Sequence, residues 1–225
     1  TEEFSQAWIY NSFKGKEDEP VTSMAYKISG REEDLWIAVM GCIADHHMPP
    51  FAERFGEKYP SFWGKVKEPF EAYYKTEIGK IALALNFGLK DSTTNIVNMQ
   101  NFLISCRGPE DVFLETKENA TFRHKYDEIK KKYNSLLEKA EKHANDKIVI
   151  LEYGGELSIS SELSNELSFY HHDKLVVVIY KKGILSNISI TSGSLNTLFL
   201  NSSISFCRFS PITQHMVSDG YTQSY

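Results

Sequence analysis

Between His143 and Ile148 the apolar residues of this chain stop recurring at helical intervals and begin to crowd into short β-branched runs. One hydrophobic period cannot serve both a helix and a strand, so this switch divides the fold. Upstream, Phe122, Tyr126, Ile129, Tyr133, Leu136, Leu137 and Ala140 fall at i, i+4, i+7, i+11, i+14, i+15 and i+18, while Lys130, Lys131, Lys132, Glu138 and Lys139 take the other face. That pattern predicts a long amphipathic helix over 121–143. Downstream, Ile148 to Tyr153 reads as a strand closed by Gly154-Gly155, and Ser160-Ser161 introduces a helix to Tyr170. Lys174 to Tyr180 is strand-like, Lys181-Lys182-Gly183 reads as a hairpin turn, and Ile184 to Ile190 returns. The fold class expected is α/β in the broad sense and α+β as the chain stands. A mainly helical first unit, 1–145, precedes a small β-α-β-β unit, 146–225.

The helical spacing continues toward the N-terminus. Val66, Phe70, Tyr73, Tyr74, Ile78, Ile81 and Leu85 predict a helix that Pro69 bends or delays. Asp91-Ser92 caps another through Ile104, Gly108-Pro109 precedes a short helix over Asp111 to Glu115, and Val21 to Ile28 ends at Gly30. Asp34 is placed to cap the apolar run that follows it. After Leu200 the pattern dissolves into Ser-rich, irregular sequence with Pro211 and Gly220, so a tail that is either ragged or completed by a partner is expected. The 225 residues, 41% hydrophobic and 24% charged, suffice for a packed core and rule out a low-complexity chain.

Twenty-five Lys plus Arg against 30 Asp plus Glu leave a net charge of -5, so the field of the whole chain repels a polyanion and any nucleic-acid contact must be local. Cys42, Cys106 and Cys207 are odd in number and lack C-x-x-C spacing, which argues against a disulfide framework and a structural zinc site. With no basic-apolar leader at Thr1 and no apolar run longer than Leu35 to Ala44, a cytoplasmic chain without membrane contact is expected. The acceptor patterns at Asn119, Asn187 and Asn201 are read as chance on that ground.

One cluster has the residue types of a site: Gly41-Cys-Ile-Ala-Asp45-His46-His47-Met-Pro49-Pro50. An apolar element that delivers a carboxylate and two imidazoles to its end places metal-ligand types at the rim of a core, and Asp with His suits Mn²⁺, Zn²⁺ or Fe²⁺. The plainer reading is a helix C-terminus where His46 and His47 interact with the last carbonyls and Asp45 accepts backbone hydrogen bonds. On residue types alone the plainer reading is favoured.

The stretches Pro20-Val-Thr-Ser-Met-Ala-Tyr-Lys-Ile28, Asp34-Leu-Trp-Ile-Ala-Val-Met-Gly-Cys-Ile-Ala-Asp45, Phe55-Gly-Glu-Lys-Tyr-Pro60, Tyr74-Lys-Thr-Glu-Ile-Gly79 and Leu85-Asn-Phe-Gly-Leu-Lys90 together resemble the DHH phosphoesterase superfamily, nearest to its archaeal RecJ-like branch. That resemblance implies a metal-dependent phosphoesterase or exonuclease acting on single-stranded nucleic acid or small nucleotides. Two Mn²⁺ ions roughly 3.5–4 Å apart would activate water and stabilise the leaving oxygen. Although Asp45-His46-His47 spells the family's triplet, the Gly-x-Ile-Ala-Asp lead resembles the later motif, whose lone Asp completes the metal site. Asp45 and His46 are then the implied catalytic residues, and Asp45, His46 and His47 the implied metal ligands. The resemblance also implies that the D-x-D and D-H-H motifs precede Thr1, with Asn11 just past the triplet. A chain with one such carboxylate is catalytically poor by itself, because one ligand cannot hold two divalent ions against their hydration.

Ser160-Ser-Glu-Leu-Ser-Asn165, Lys174 to Tyr180 and Ile188-Ser-Ile-Thr-Ser-Gly193 resemble the substrate-binding domain associated with that family. They imply Ser189, Thr191 and Ser192 as substrate contacts, with Thr191 standing where the family has Arg. The family's Gly-rich His loop has no counterpart in 201–225. These departures keep a second class open, a non-catalytic binding or scaffold module. A homodimer through an unfinished sheet edge near Ile184 to Ile190 is a further expectation.

The remaining features read as structure. Arg123, His124, Lys125 and Lys130 to Lys132 alternate with Asp127 and Glu128, as on a solvated helix face. His171-His172-Asp173 falls in a turn, Gly154-Gly155 lacks a dinucleotide-loop context, and Cys42 and Cys106 read as small buried hydrophobes. Trp8, Tyr10, Trp63 and Tyr73 are of the type that stacks bases, though aromatics at helical spacing more often form core.

Overall fold

A computed structural model describes residues 19–183, 185–192 and 204–207. Its helices are α1 (Val21–Ser29), α2 (Leu35–Ala44), α3 (Ala52–Lys58), α4 (Pro60–Trp63), α5 (Pro69–Lys75), α6 (Glu77–Gly88), α7 (Thr93–Ser105), α8 (Ala120–Lys142) and α9 (Ser160–Tyr170). The strands are β1 (Ile148–Gly154), β2 (Leu175–Lys182), β3 (Leu185–Ser192) and β4 (Ile204–Cys207). The class is α+β, helical in its first part. Two compact units divide at Lys130 and Lys131, inside α8, N-terminal to the point where the hydrophobic period changes.

In the first unit the core is built on α2 and α6. Helix α2 packs against α1, α5 and α6, and buries Leu35, Trp36, Ala38, Val39, Met40, Cys42 and Ile43. A helix apolar nearly all round is stable only when surrounded, and here it is. Gly41 lets α1 close on α2, since a Cβ there would lie 2.6 Å from the Thr22 methyl. Helix α1 ends as its sequence predicts, with Gly30 at φ 61 donating to the Tyr26 carbonyl. Asp34 behaves otherwise: it closes a 3₁₀ turn over Glu32–Asp34 and caps nothing with its side chain, lying 3.2 Å from Arg31 Nε instead.

The single helix expected across Val66 to Leu85 is two, α5 and α6, broken at Thr76. Thr76 is extended (φ -113, ψ 161), accepts from the Gly79 N–H at 3.0 Å and donates to the Ala72 carbonyl. Its hydroxyl thus serves the end of one helix and the start of the next. Ser92 caps α7 by accepting from Asn95 N, and the short helix expected at Asp111 to Glu115 is a 3₁₀ turn over Pro109–Phe113.

The second unit carries a four-stranded sheet in the order β1-β2-β3-β4. β1 and β2 run parallel through the α9 crossover, Ile148 opposite Leu175 and Tyr153 opposite Tyr180. β2 and β3 form an antiparallel hairpin in which Lys182 faces Leu185 and Gly183 holds φ 61. β4, from the stretch after Leu200 that reads as irregular in sequence, pairs with Leu185 to Ile188. Strand β3 is therefore paired on both sides over Leu185 to Ile188, where an unfinished edge is expected, while among the described residues Ser189 and Ile190 pair with β2 alone. Val149, Leu151, Tyr153, Val176, Val178 and Tyr180 form the buried face of the sheet, and Leu163 and Leu167 of α9 are buried as well.

Candidate functional site

Asp45, His46 and His47 follow directly on α2, and the backbone explains how they are held. His46 takes the left-handed conformation at φ 54 and donates its N–H to the Ile43 carbonyl at 3.0 Å, while His47 N donates to the Cys42 carbonyl at 2.9 Å. This pair of bonds is the Schellman closure of a helix end, with histidine where glycine is usual. The last carbonyls are met by the backbone amides of Asp45, His46 and His47.

The side chains separate. Asp45 is exposed and its carboxylate stands at the end of the buried helix. The His46 ring turns into the first-unit aromatics, stacked on Phe70 at 4.0 Å between centroids and edge-on to Tyr73 at 5.5 Å. Its Nδ1 is shielded from solvent and has no hydrogen-bond partner. Burial lowers the imidazole pKa below its ordinary 6.5, with the Asp45 charge acting in the opposite sense. His46 is thus held neutral, and its Nδ1 faces away from water. His47 is half-buried.

The fit to a two-metal centre can be judged from these groups. Asp45 presents a free carboxylate and His46 a neutral ring packed in aromatics, and no group of three His, Cys, Asp or Glu side chains able to hold a metal occurs among the described residues. Asp45, His46 and His47 supply only part of such a centre.

The implied substrate contacts lie on β3. Ser189 is buried opposite Val178, and Thr191 Oγ1 lies 2.5 Å from Ser164 Oγ of α9. Thr191 thus joins the buried Ser164 in a polar contact between helix and sheet. Ser192 faces Leu175 across the ladder. Trp8, Tyr10 and Asn11 lie outside the described residues.

Several other candidates become structural. Trp63 is buried edge-on to Phe55, and Tyr73 is buried. Cys42 is fully buried with its thiol pushed up to about 12, and the Cys106 thiol rises to about 11, both chiefly by burial. Two cations of the basic run of α8 are paired locally: Arg123 lies 3.5 Å from Glu115 and Lys125 3.1 Å from Glu128. Asn119 is fully buried and donates to the Val112 and Leu114 carbonyls, which removes it as an acceptor of sugar. His171 ends α9, with Nε2 2.7 Å from Glu141, and His172 and Asp173 are exposed in a turn.

Sequence spacing did not single out the recess of about 340 Å³ beside the Asp45 segment, lined by Tyr26, Glu32, Pro50, Phe51 and Arg54 among others. There Arg54 donates to the Tyr26 hydroxyl and lies 3.4 Å from Glu32. Tyr26 and Arg54 sit on different helices, so no local spacing announces the pairing. No family model, curated protein or solved structure matches the chain.

Proposed function

We propose that the chain is a partial or degenerate DHH-like phosphoesterase, directed at phosphodiester bonds of single-stranded nucleic acid or small nucleotides, with Asp45 as a Mn²⁺ ligand. The observation that carries this reading is the setting of Asp45, an exposed carboxylate at the end of an otherwise buried apolar helix. A rigid element that ends in a free acid is how a protein fixes a ligand without burying its charge. Asp45 contributes one ligand, so the chain alone binds Mn²⁺ weakly and turns over poorly. A cytoplasmic setting goes with this reading, since Cys42 and Cys106 are free thiols. Among the described residues no helix is long and apolar enough to cross a membrane.

The test is a Mn²⁺ titration of residues 1–225 followed by water-proton relaxation, with Asp45→Asn beside it. The expected outcome is weak binding that the variant loses while its circular dichroism is unchanged. Equal binding by both proteins sinks the assignment of Asp45. Asp45-dependent cleavage of oligonucleotides at rates typical of a competent two-metal nuclease would overturn the partial or degenerate part of the reading.

A second reading, a non-catalytic binding or scaffold module, is favoured by the His46 ring packed against Phe70 and Tyr73 instead of standing free beside Asp45. Titration with single-stranded RNA and DNA at low salt separates the two. Steep, salt-sensitive binding counts for the nucleic-acid reading, and its absence for the scaffold, because phosphate contacts release counterions.

A further inference from the structure

Among the described residues β1 is one of the two edges of the second unit's sheet, the other being β4, and α8 reaches it. Backbone groups of successive strand residues point to opposite sides, and the Lys147 carbonyl accepts from Leu175 N of β2, so residues 148, 150, 152 and 154 turn theirs outward. At that edge side chains stand in for a neighbouring strand. Asn145 takes both groups of Ile148: its backbone N–H donates to the Ile148 carbonyl at 3.1 Å, and its Oδ1 accepts from Ile148 N at 2.7 Å. Lys139 Nζ donates to the Glu152 carbonyl at 2.7 Å, and Lys132 Nζ to the Gly154 carbonyl at 3.4 Å. The Lys132 ammonium also stands 5.7 Å from the centroid of the Tyr153 ring, and a Cβ on Gly155 would come within 2.8 Å of it.

We propose that Lys132 and Lys139 guard β1 against strand addition by a second copy of this chain. An ammonium caps a carbonyl and nothing else, whereas strand pairing must engage the amide N–H groups of 150, 152 and 154 along the same edge. A second copy is the occupant because an antiparallel β1–β1 pair about a two-fold axis offers each edge the same alternating donors and acceptors it presents. In one step the pairing would double the sheet. The outer-facing side chains suit such a pair: Ile150 is 50% exposed, and Glu152 is exposed with its charge met by Lys181 of its own sheet. Desolvating two ammonium groups and breaking their carbonyl bonds opposes association, which is how natural sheets blunt an edge with lysine.

The experiment compares the whole chain with Lys132→Ala/Lys139→Ala by light scattering across a concentration series and by amide hydrogen exchange over 148–154. The unaltered chain is expected to remain a single copy. The double variant is expected to pair, with a dissociation constant about tenfold or more lower, the equivalent of one charge-assisted contact, and with slowed exchange at Ile150, Glu152 and Gly154. Adding Ile150→Pro, which removes an outward N–H without touching the β2 ladder, is expected to restore the single copy. A double variant that stays a single copy with unchanged exchange overturns the proposal. So does association that Ile150→Pro leaves intact, because it then forms elsewhere. If the alanine pair loses its far-UV signal, Lys139→Gln alone is read by the same two outcomes.

Discussion

His46 combines three local constraints. It holds a left-handed backbone at φ 54, an imidazole stacked on Phe70, and an Nδ1 without a partner. The sign of its pH effect follows from the lowered pKa. Above the unfolded value of about 6.5 the ring is neutral in both states and its stacking counts in full. As pH falls below that value the unfolded chain takes up a proton that the folded chain resists, so stability declines until the folded pKa is passed. Asparagine tolerates the same backbone but lacks the ring. His46→Asn is therefore expected to lose about 0.5–1.5 kcal/mol at pH 7.5, the worth of an aromatic pair, and to show a flatter decline between pH 7 and 5. Urea unfolding of both proteins across that range checks it, and a difference that does not vary with pH would mean the ring is not held neutral.

At the scale of elements, the break between α5 and α6 rests on two residues. Thr76→Val keeps the shape of the side chain and removes the cap, leaving the buried Gly79 N–H without its acceptor, at a cost of about 1–3 kcal/mol. Thr76→Ser retains the hydroxyl and is expected to recover most of it. Gly79→Ala should cost more, about 3 kcal/mol or beyond, because its Cβ would fall 2.1 Å from the Tyr73 carbonyl, a backbone atom that cannot yield. Thermal unfolding of the three variants orders them; Gly79→Ala as stable as Thr76→Ser would refute the close approach. Most elements were legible beforehand because each carries its own punctuation, such as Gly30 after α1, Ser92 before α7 and the long amphipathic stripe of α8. The break at Thr76 was not, since threonine is allowed inside a helix and its capping role depends on how closely α5 and α6 meet. Strand β4 was hidden for a related reason: four residues in a Ser-rich stretch become a strand only by pairing with β3. Of the candidate site, the exposed acid at the end of a buried helix was readable from the apolar run that stops at Asp45. The lodging of His46 against Phe70 was not, because it joins residues from separate helices.

For the whole molecule, the change of hydrophobic period marks where strands begin but not where the second unit begins. The C-terminal half of α8 belongs to that unit. Tyr133 is fully buried, and its hydroxyl lies 3.0 Å from the Glu162 carbonyl and 2.5 Å from Glu166 Oε2. Ala140 is fully buried too, and Glu141 meets His171. Cutting at 146 removes all of these together. Loss of a buried aromatic alone costs about 3–5 kcal/mol, against a total of about 5–15 kcal/mol for an ordinary domain. A fragment of residues 131–225 is therefore expected to unfold cooperatively on heating, and one of 146–225 to melt at a much lower temperature or without a transition. Circular dichroism of the two fragments decides it. Equal melting would place the boundary at the change of period, and would make the second half of α8 an ornament of the unit instead of part of its core.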